Sequence, residues 1–234
     1  MSVGRARSAQ NRPIRFGRNP PLPRRRAFLQ PEAPLMNAGT TAERVYDRLK
    51  REMACGSLSP GARLEPARLA QEFNSSPTPI RDALHRLAGE RLVETRASDG
   101  FHVPAVTEIG LRDLYRWNDE LVRTALRVSQ EPCRQAGPLV EPVDAADLFA
   151  FIAARSRSAE IVTQVALAND RLAYIRQIES NIVANSLDEI RAINTALLQS
   201  SKSTKNLIQE YHRSRISIIP RLISHIFQNS SSLR

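Results

Sequence analysis

The sequence is poor in the features that mark several other classes of protein. It contains two cysteines among 234 residues, Cys55 and Cys133, and their separation fits no metal-ligand spacing. We therefore expect no disulfide scaffold, and a reducing cytoplasm is the natural location. No apolar run approaches the roughly 20 residues that span a bilayer. The N-terminus also lacks the apolar stretch of a secretory signal, so we expect no membrane partner.

The residue patterns of enzymes are missing as well. The sequence has no glycine-rich phosphate loop and no Ser/His/Asp or Cys/His set whose spacing supports nucleophilic catalysis. It also has no paired carboxylates in a recognisable context. We therefore expect neither an enzyme nor a bound cofactor.

Positive charge is what the sequence has in excess, and most of it lies at one end. The formal net charge is +10, and residues 1–35 hold eight arginines against one acidic residue, Glu32. This segment is rich in Pro, Arg and Asn and has no periodicity, which is typical of disorder, so we assign 1–37 to a basic disordered extension. Two interpretations stay open: a translated basic tail, or a chain whose translation begins at Met36. The charge by itself does not indicate nucleic-acid binding.

Residues 38–106 have the pattern of three helices followed by a β-hairpin. Apolar residues recur every four positions in the first helix, and Pro66 opens a short second one. Asp99-Gly100 between apolar residues is a strong hairpin signal. We expect helices over about 40–55, 66–73 and 76–89, and a turn at Ser98-Asp99-Gly100. This order predicts a winged helix-turn-helix.

The third helix opens with two prolines, Pro77 and Pro79. With Ser76 as the N-cap, both prolines fall in the first turn, where backbone N–H groups have no intrahelical partner. With Thr78 as the N-cap instead, Pro79 is the first helical residue. Either arrangement gives the helix a rigid start.

Two faces of this helix differ in character. Its apolar stripe is Ile80, Leu84 and Leu87, and its polar face is Thr78, Arg81, Asp82 and His85. In a helix-turn-helix, the second helix enters the major groove with its N-terminal residues against the bases, where arginine can bind guanine in a bidentate manner. A merely solvated polar face is the ordinary alternative. The tight turn, the rigid helix start and the hairpin, in that order, favour DNA binding.

The stretch RLEPARLAQEFNSSPTPIRDALHRLAGERLVETRASDGFHV resembles the winged helix-turn-helix of the GntR family of bacterial transcription regulators. The matching residues are Leu69-Ala70, Ser76, Thr78-Pro79-Ile80-Arg81, Ala83-Leu84, Leu87, Leu92-Val93, Gly100-Phe101 and Val103. The resemblance covers about 44–104. It implies that Thr78 and Arg81 contact operator DNA and that Arg68 lies near the phosphates.

The full expected DNA-contacting set adds residues of the helix and the wing. It consists of Arg68, Ser76, Thr78, Pro79, Arg81, His85, Gly100 and His102. One position departs from the family pattern: Pro77 stands where the family usually has a second arginine. This removes a base or phosphate contact and makes the family's usual operator sequence doubtful for this chain.

Residues 107–234 show helical patterns alone. We expect helices from Thr107 to about 130 and over 144–155, 158–179, 186–199 and 203–227, the last broken or restarted at Pro220, with a loop over 131–142. Segments 169–179 and 188–216 are weakly similar to the FadR-like (FCD-type) branch of the family. This resemblance implies an all-helical domain that dimerises and binds a small effector such as an organic acid. The candidate effector-binding residues are Asn169, Tyr174, Arg176, Tyr211 and His212.

Many members of that branch hold a divalent metal with one aspartate and three histidines. In this chain, only His212 falls where a ligand histidine is expected, and Ile190 and Phe151 stand at two of the other positions. Apolar side chains cannot ligate a cation, and one imidazole with at most one carboxylate falls short of a site. We therefore expect a degenerate site without metal, and His212 to be a hydrogen-bonded or exposed helical histidine.

The sequence thus predicts a mainly α protein: a winged helix-turn-helix over 38–106, followed by an all-α helical bundle over 107–234. The expected function is sequence-specific regulation of transcription, more as a repressor than as an activator, by a homodimer on double-stranded operator DNA. A non-specific or architectural nucleic-acid-binding protein driven by the arginine-rich tail is the alternative. Such a protein would show a steep salt dependence and little sequence preference.

Overall fold

Two hydrophobic cores organise the part of the chain that the structure describes. The structure, a computed structural model, describes residues 38–129, 142 and 144–231. One core runs from Val45 to Val103, and the other from Leu111 to Ile226. The elements in chain order are α1 (Ala38–Ala54), β1 (Arg63–Leu64), α2 (Pro66–Glu72), α3 (Pro77–Gly89), β2 (Glu94–Arg96), β3 (Gly100–His102), α4 (Glu108–Val128), α5 (Ala145–Ala154), α6 (Ala159–Glu179), α7 (Ser186–Leu198), α8 (Thr204–Ser217) and α9 (Ile219–Ser231).

The first core holds α1 and α2 against α3. Leu49, Leu69 and Leu84, one from each helix, have no exposed surface. Between α2 and α3 the chain turns at Asn74, whose φ of 48° lies in the left-handed region that asparagine tolerates better than most residues. The predicted order of helix, helix, tight turn and helix is confirmed.

The expected hairpin is part of a three-stranded antiparallel sheet with strand order β1–β3–β2. Arg63 of β1 pairs with His102, and Thr95 of β2 pairs with Phe101. Strand β1 was not predicted, because a two-residue strand is too short to show an alternating pattern. Residues Arg63–Leu64 form a strand because they pair with the edge of β3 that β2 leaves open.

The second core is a helical bundle in which α4 packs against α5, α6, α8 and α9. Thr107 caps α4 as expected, since its Oγ1 accepts a hydrogen bond from the Gly110 N–H at 3.1 Å. The helix expected over 203–227 is two helices, because α8 ends at Ser217 and Pro220 is the second residue of α9. Proline is favoured in the first turn of a helix for the reason that also applies to α3.

The mainly α fold class, with a winged helix-turn-helix before an all-helical domain, is confirmed. The predicted extension 1–37 and all but residue 142 of the predicted loop 131–142 lie outside the described residues. In the described ranges, no helix combines the length and apolar character needed to cross a membrane.

Helices α1 and α6 bring the two cores together. Lys50 Nζ of α1 lies 2.5 Å from Asp170 Oδ2 of α6. Just after α1, Gly56 has a φ of +78°, and a Cβ at this position would lie 2.5 Å from Cε2 of Tyr174. Glycine is therefore required here both for the backbone conformation and for the close approach of the tyrosine ring.

Candidate nucleic-acid interface

The N-terminus of α3 is held in place by its backbone alone. Ser76 is the N-cap, with φ −85° and ψ 160°, and its side chain makes no capping hydrogen bond. Pro77 and Pro79 then occupy the first and third helical positions. The alternative N-cap, Thr78, is wrong because Thr78 lies inside the helix. The exposed hydroxyl of Ser76 is therefore not needed for capping.

The polar face of α3 (Thr78, Arg81, Asp82 and His85) is exposed throughout. Within the described residues, the guanidinium of Arg81 has no recorded ion pair or hydrogen bond. About one turn further along the helix, Arg86 contacts two residues of α1. Its Nη1 lies 2.8 Å from Glu43 Oε2, and its guanidinium lies 3.7 Å from the centre of the Tyr46 ring. The same helix thus uses one arginine to pack against α1 and leaves the other facing solvent.

The wing contributes a packing contact and an open turn. The ring of His85 meets the ring of Phe101 edge-on, with 4.9 Å between the centroids. Gly100 has a φ of +76°, is exposed, and has no atom within 4 Å of where its Cβ would be. A phosphate could therefore approach the backbone at this turn without meeting a side chain.

Two members of the expected DNA-contacting set occupy less favourable positions. His102 is 4% exposed, and its Nε2 lies 3.0 Å from Asp99 Oδ2, so its side chain belongs to the base of the wing and not to its outer surface. The sequence could not show this, because β1 covers one edge of β3 at this residue. Pro79, the second of these two residues, is half-buried.

Arg68, in contrast, is exposed. It pairs loosely with Glu72 at 3.4 Å, a surface pair that costs little to break.

A basic groove beside α3 was missed in the sequence. It has a volume of about 460 Å³ and is lined by residues of α1 and by the turn before α3: Thr41, Arg44, Val45, Asp47, Arg48, Arg51, Phe73, Asn74 and Ser75. The signal was available, since Arg44, Arg48 and Arg51 are spaced i, i+4 and i+7. Only the fold shows that this stripe lies next to the start of α3.

Residues 41–103 match the family model of bacterial regulatory proteins of the gntR family. They form a DNA-binding domain of the GntR family. The expectation drawn from the quoted stretch is thereby confirmed for this domain.

Known transcriptional regulators are similar to part of the chain. The HTH-type transcriptional regulator McbR of Escherichia coli K12 is 37% identical over 89 residues, which are 36% of this chain and 39% of the relative. BphR of Paraburkholderia xenovorans LB400, also an HTH-type transcriptional regulator, is 33% identical over 96 residues, 41% of this chain and 39% of BphR. The chain thus matches about two-fifths of the length of these relatives. The Nta operon transcriptional regulator of Aminobacter aminovorans is 29% identical over 135 residues, 58% of this chain and 61% of that protein.

Solved structures extend the likeness in fold beyond the GntR domain. A GntR transcriptional regulator from Rhodococcus sp. RHA1 aligns with a TM-score of 0.65 at 18% identity, covering 77% of this chain and 97% of the other. McbR/YncC of E. coli aligns with a TM-score of 0.56 at 20% identity and the same coverage. At these identities the likeness establishes the fold, including its helical part.

In the helical domain, three buried polar residues and the half-buried Arg176 come together in a set that we name the bundle cluster (Asn118, Asn169, Arg176 and His212). Arg176 donates to the amide oxygens of Asn169 at 2.9 Å and of Asn118 at 3.4 Å. Nε2 of His212 lies 2.9 Å from the same Asn118 oxygen. Asn118 was not predicted, although a polar residue four positions after Leu114 in an otherwise apolar stripe was a usable signal.

The two tyrosines of the candidate effector-binding set, Tyr174 and Tyr211, lie at different places in the fold. Tyr211 lies beside the bundle cluster, with its ring edge-on to His212 at 5.1 Å and under the guanidinium of Arg215 at 4.0 Å. Burial raises the pKa of Tyr211 to about 12, so its hydroxyl stays protonated. Tyr174, in contrast, packs at Gly56 where the domains meet. We therefore remove Tyr174 from the candidate effector-binding set of the bundle.

The residues around His212 do not fit a divalent metal. Burial lowers the pKa of His212 from 6.5 to about 3, and the ring is neutral at physiological pH. Its Nδ1 lies 2.8 Å from the Ile208 carbonyl oxygen and 3.6 Å from Asp119 Oδ1, and Ile190 is an apolar part of the core. Across the described residues, no three His, Cys, Asp or Glu side chains converge on one point. The absence of metal remains a prediction.

Proposed function

We propose that the protein is a homodimeric repressor of transcription that reads operator DNA with the polar face of α3 and responds to a small acidic effector. One observation carries the DNA-binding part: Arg81 is exposed near the start of a proline-fixed helix and has no recorded ionic partner in the described chain. Its guanidinium is thus available to guanine or phosphate without first breaking a protein contact. GntR-domain relatives that are transcriptional regulators support the same assignment.

Operator symmetry supports a homodimer. Two recognition helices are needed to read two half-sites about one helical turn apart. On α4, three large apolar side chains remain exposed: Ile109 at 76%, Trp117 at 48% and Val128 at 39%. A second copy that covers part of this helix would bury them.

The bundle cluster supports an acidic effector. Arg176 is half-buried and donates hydrogen bonds to the neutral amide oxygens of Asn169 and Asn118. Burial lowers its pKa, and the Tyr211 hydroxyl and the Asp144 carboxylate act in the opposite direction. A carboxylate that reached Arg176 would add a negative charge beside the guanidinium, with the neutral His212 and protonated Tyr211 as further hydrogen-bonding groups. Regulators of this kind act in the cytoplasm, where their DNA is.

The test of the DNA-binding proposal is Arg81→Ala, compared with wild type on operator fragments selected from the organism's own genomic DNA. We expect a loss of about 1–3 kcal/mol in operator affinity with unchanged thermal stability. Arg221→Ala on α9 removes the same charge from another exposed position and is the matched control. Unchanged affinity for the operator in Arg81→Ala would contradict the proposed role of α3.

The same assay separates the alternative, binding driven by the eight arginines of residues 1–35. Tail-driven binding would fall steeply with salt, would discriminate weakly between sequences and would be lost on deletion of 1–35. Reading by α3 predicts that the truncated protein still prefers the operator over unrelated DNA.

A further inference from the structure

A cavity of about 440 Å³ lies where the GntR domain meets the helical bundle. Its walls come from both sides: Met53, Leu58, Leu92 and Val103 belong to the first core, and Leu111, Leu114 and Ile175 to the second. The Pro104–Thr107 linker closes it on one side. The cavity is separate from the α3 face and shares no lining residue with the bundle cluster.

Two arginines line this otherwise largely apolar cavity. Arg91 follows α3 at a backbone φ of 59°, and Arg171 lies on α6. In the described chain, no ion pair or hydrogen bond is recorded for either guanidinium. Burial lowers the pKa of Arg171, and repulsion from Arg91 lowers it further. Arg171 is half-buried and Arg91 is exposed, so the two cations repel each other at a site that solvent partly reaches.

Two carboxylates line the same cavity, and both have cationic partners. Asp170 Oδ2 lies 2.5 Å from Lys50 Nζ, and Glu94 forms a loose, exposed pair with Arg96, with 3.5 Å between Oε2 and Nη2. Tyr174 also reaches the cavity, and burial raises the pKa of its hydroxyl, which stays a hydrogen-bond donor. The cavity thus offers two guanidinium groups and a phenol to an anion, and apolar walls to whatever is attached to it.

We propose that this cavity binds a small carboxylic acid with an apolar body, its carboxylate held by Arg91 and Arg171 and its body lying against Leu92, Leu111 and Ile175. Two guanidinium groups suit a carboxylate, and mutual repulsion in the empty site adds to the gain on binding. The ligand touches both domains, so its occupancy favours one arrangement of the GntR domain on the bundle. The inference goes beyond the proposed bundle effector site and does not depend on it.

The test uses the full chain without DNA, with benzoate as the probe and benzamide as its neutral match at equal ionic strength. We expect benzoate to raise the melting temperature of wild type in a dose-dependent manner and benzamide to do much less. In Arg91→Gln and in Arg171→Gln, the affinity for benzoate should fall about tenfold or more, the value of a charge-assisted hydrogen bond. Arg221→Gln is the control and should respond as wild type does.

Three results would overturn the proposal. Benzoate could leave the wild-type melting temperature unchanged, it could stabilise both arginine variants as much as wild type, or inorganic phosphate could stabilise wild type as strongly as benzoate does. A further readout concerns the ligand-free protein. If Arg91 and Arg171 repel each other, either glutamine variant should melt at or above the wild-type temperature, whereas a lower melting temperature in both would mean that the arginines serve the fold. None of these readouts involves DNA, so they are independent of whether α3 reads an operator.

Discussion

Arg81 on α3 and Arg215 on α8 place the same charged group in opposite environments. Arg81 is exposed and has no recorded ionic partner in the described chain, whereas Arg215 has no exposed side-chain surface. Arg215 pairs with Glu179 and Glu189, donates to Ser186 at 3.0 Å and covers the Tyr211 ring. An exposed charge remains hydrated, so leaving it unpaired until a polyanion binds costs little free energy. A buried charge loses its hydration and therefore needs ionic and hydrogen-bonding partners within the fold. Arg81 follows the first rule and Arg215 the second.

Among the variants that test this contrast, Arg215→Leu should have the largest effect on stability. It leaves the buried Glu179 and the half-buried Glu189 without their cation, and we expect the free energy of unfolding to fall by about 3–5 kcal/mol. Arg213→Leu, two residues away on the same helix but 73% exposed, should cost less than about 0.5 kcal/mol. Urea unfolding measures both. Equal costs would show that burial does not distinguish the two arginines.

The next largest expected effect is a loss of folding stability at low pH, caused by His212. His212 stays neutral in the folded protein down to a pKa of about 3, while in the unfolded chain it takes up a proton near its ordinary value of 6.5. Stability is therefore fully present above pH 6.5 and falls as the pH drops through this window. Between pH 6.5 and 4.5, wild type should lose about 2–3 kcal/mol more than His212→Gln.

The comparison between wild type and variant is needed because Glu179 acts in the opposite sense. Burial raises its pKa from 4.5 to about 7, so its contribution is present at low pH and is lost as the pH rises through that window. This contribution occurs in both proteins and cancels in the difference. His85→Gln, on the exposed face of α3, is the control for replacing a histidine by glutamine. A His212→Gln profile that runs parallel to wild type would argue against a neutral buried imidazole.

A smaller effect tests the contact between the two regions. Gly56 and Gly61 both have φ near +80°, at +78° and +81°, but only Gly56 has a ring against it, since no atom lies within 4 Å of a Cβ at Gly61. Both alanine variants incur the same backbone strain, so their difference isolates the clash with Tyr174. We expect Gly56→Ala to be less stable than Gly61→Ala by about 1–2 kcal/mol in thermal unfolding. Equal stabilities would mean that the Tyr174 ring moves aside freely.

The smallest effect concerns the Lys50–Asp170 pair, which joins the same two regions with side chains 27% and 30% exposed. A double-mutant cycle with Lys50→Met and Asp170→Asn should give a coupling of less than about 1 kcal/mol that weakens with added salt. A coupling above about 2 kcal/mol, insensitive to salt, would place this pair with Arg215 and not with the surface pairs.

How much could be read from the sequence depended on the range of the interactions involved. The N-terminus of α3 could be predicted because capping and proline at the first helical position act within one turn. The polar face of α3 could be predicted from the helical spacing of its polar residues. The burial of His102 was not predicted, because a strand of two residues, distant in sequence, packs beside it. Tyr174 and Arg176 are two residues apart on α6, yet they belong to different sites, because the helix passes between the domain junction and the bundle interior.

Local backbone preferences and apolar periodicity were enough to predict the helices, the turn and wing of the GntR domain, and which face of α3 is polar. Three other features became visible in the folded protein alone: Asn118 meets Arg176 and His212, three arginines of α1 line a groove beside α3, and Arg91 and Arg171 share a cavity. Each of these depends on how helices distant in sequence pack. A hydrophobic pattern specifies that a helix face is buried but not which neighbour covers it.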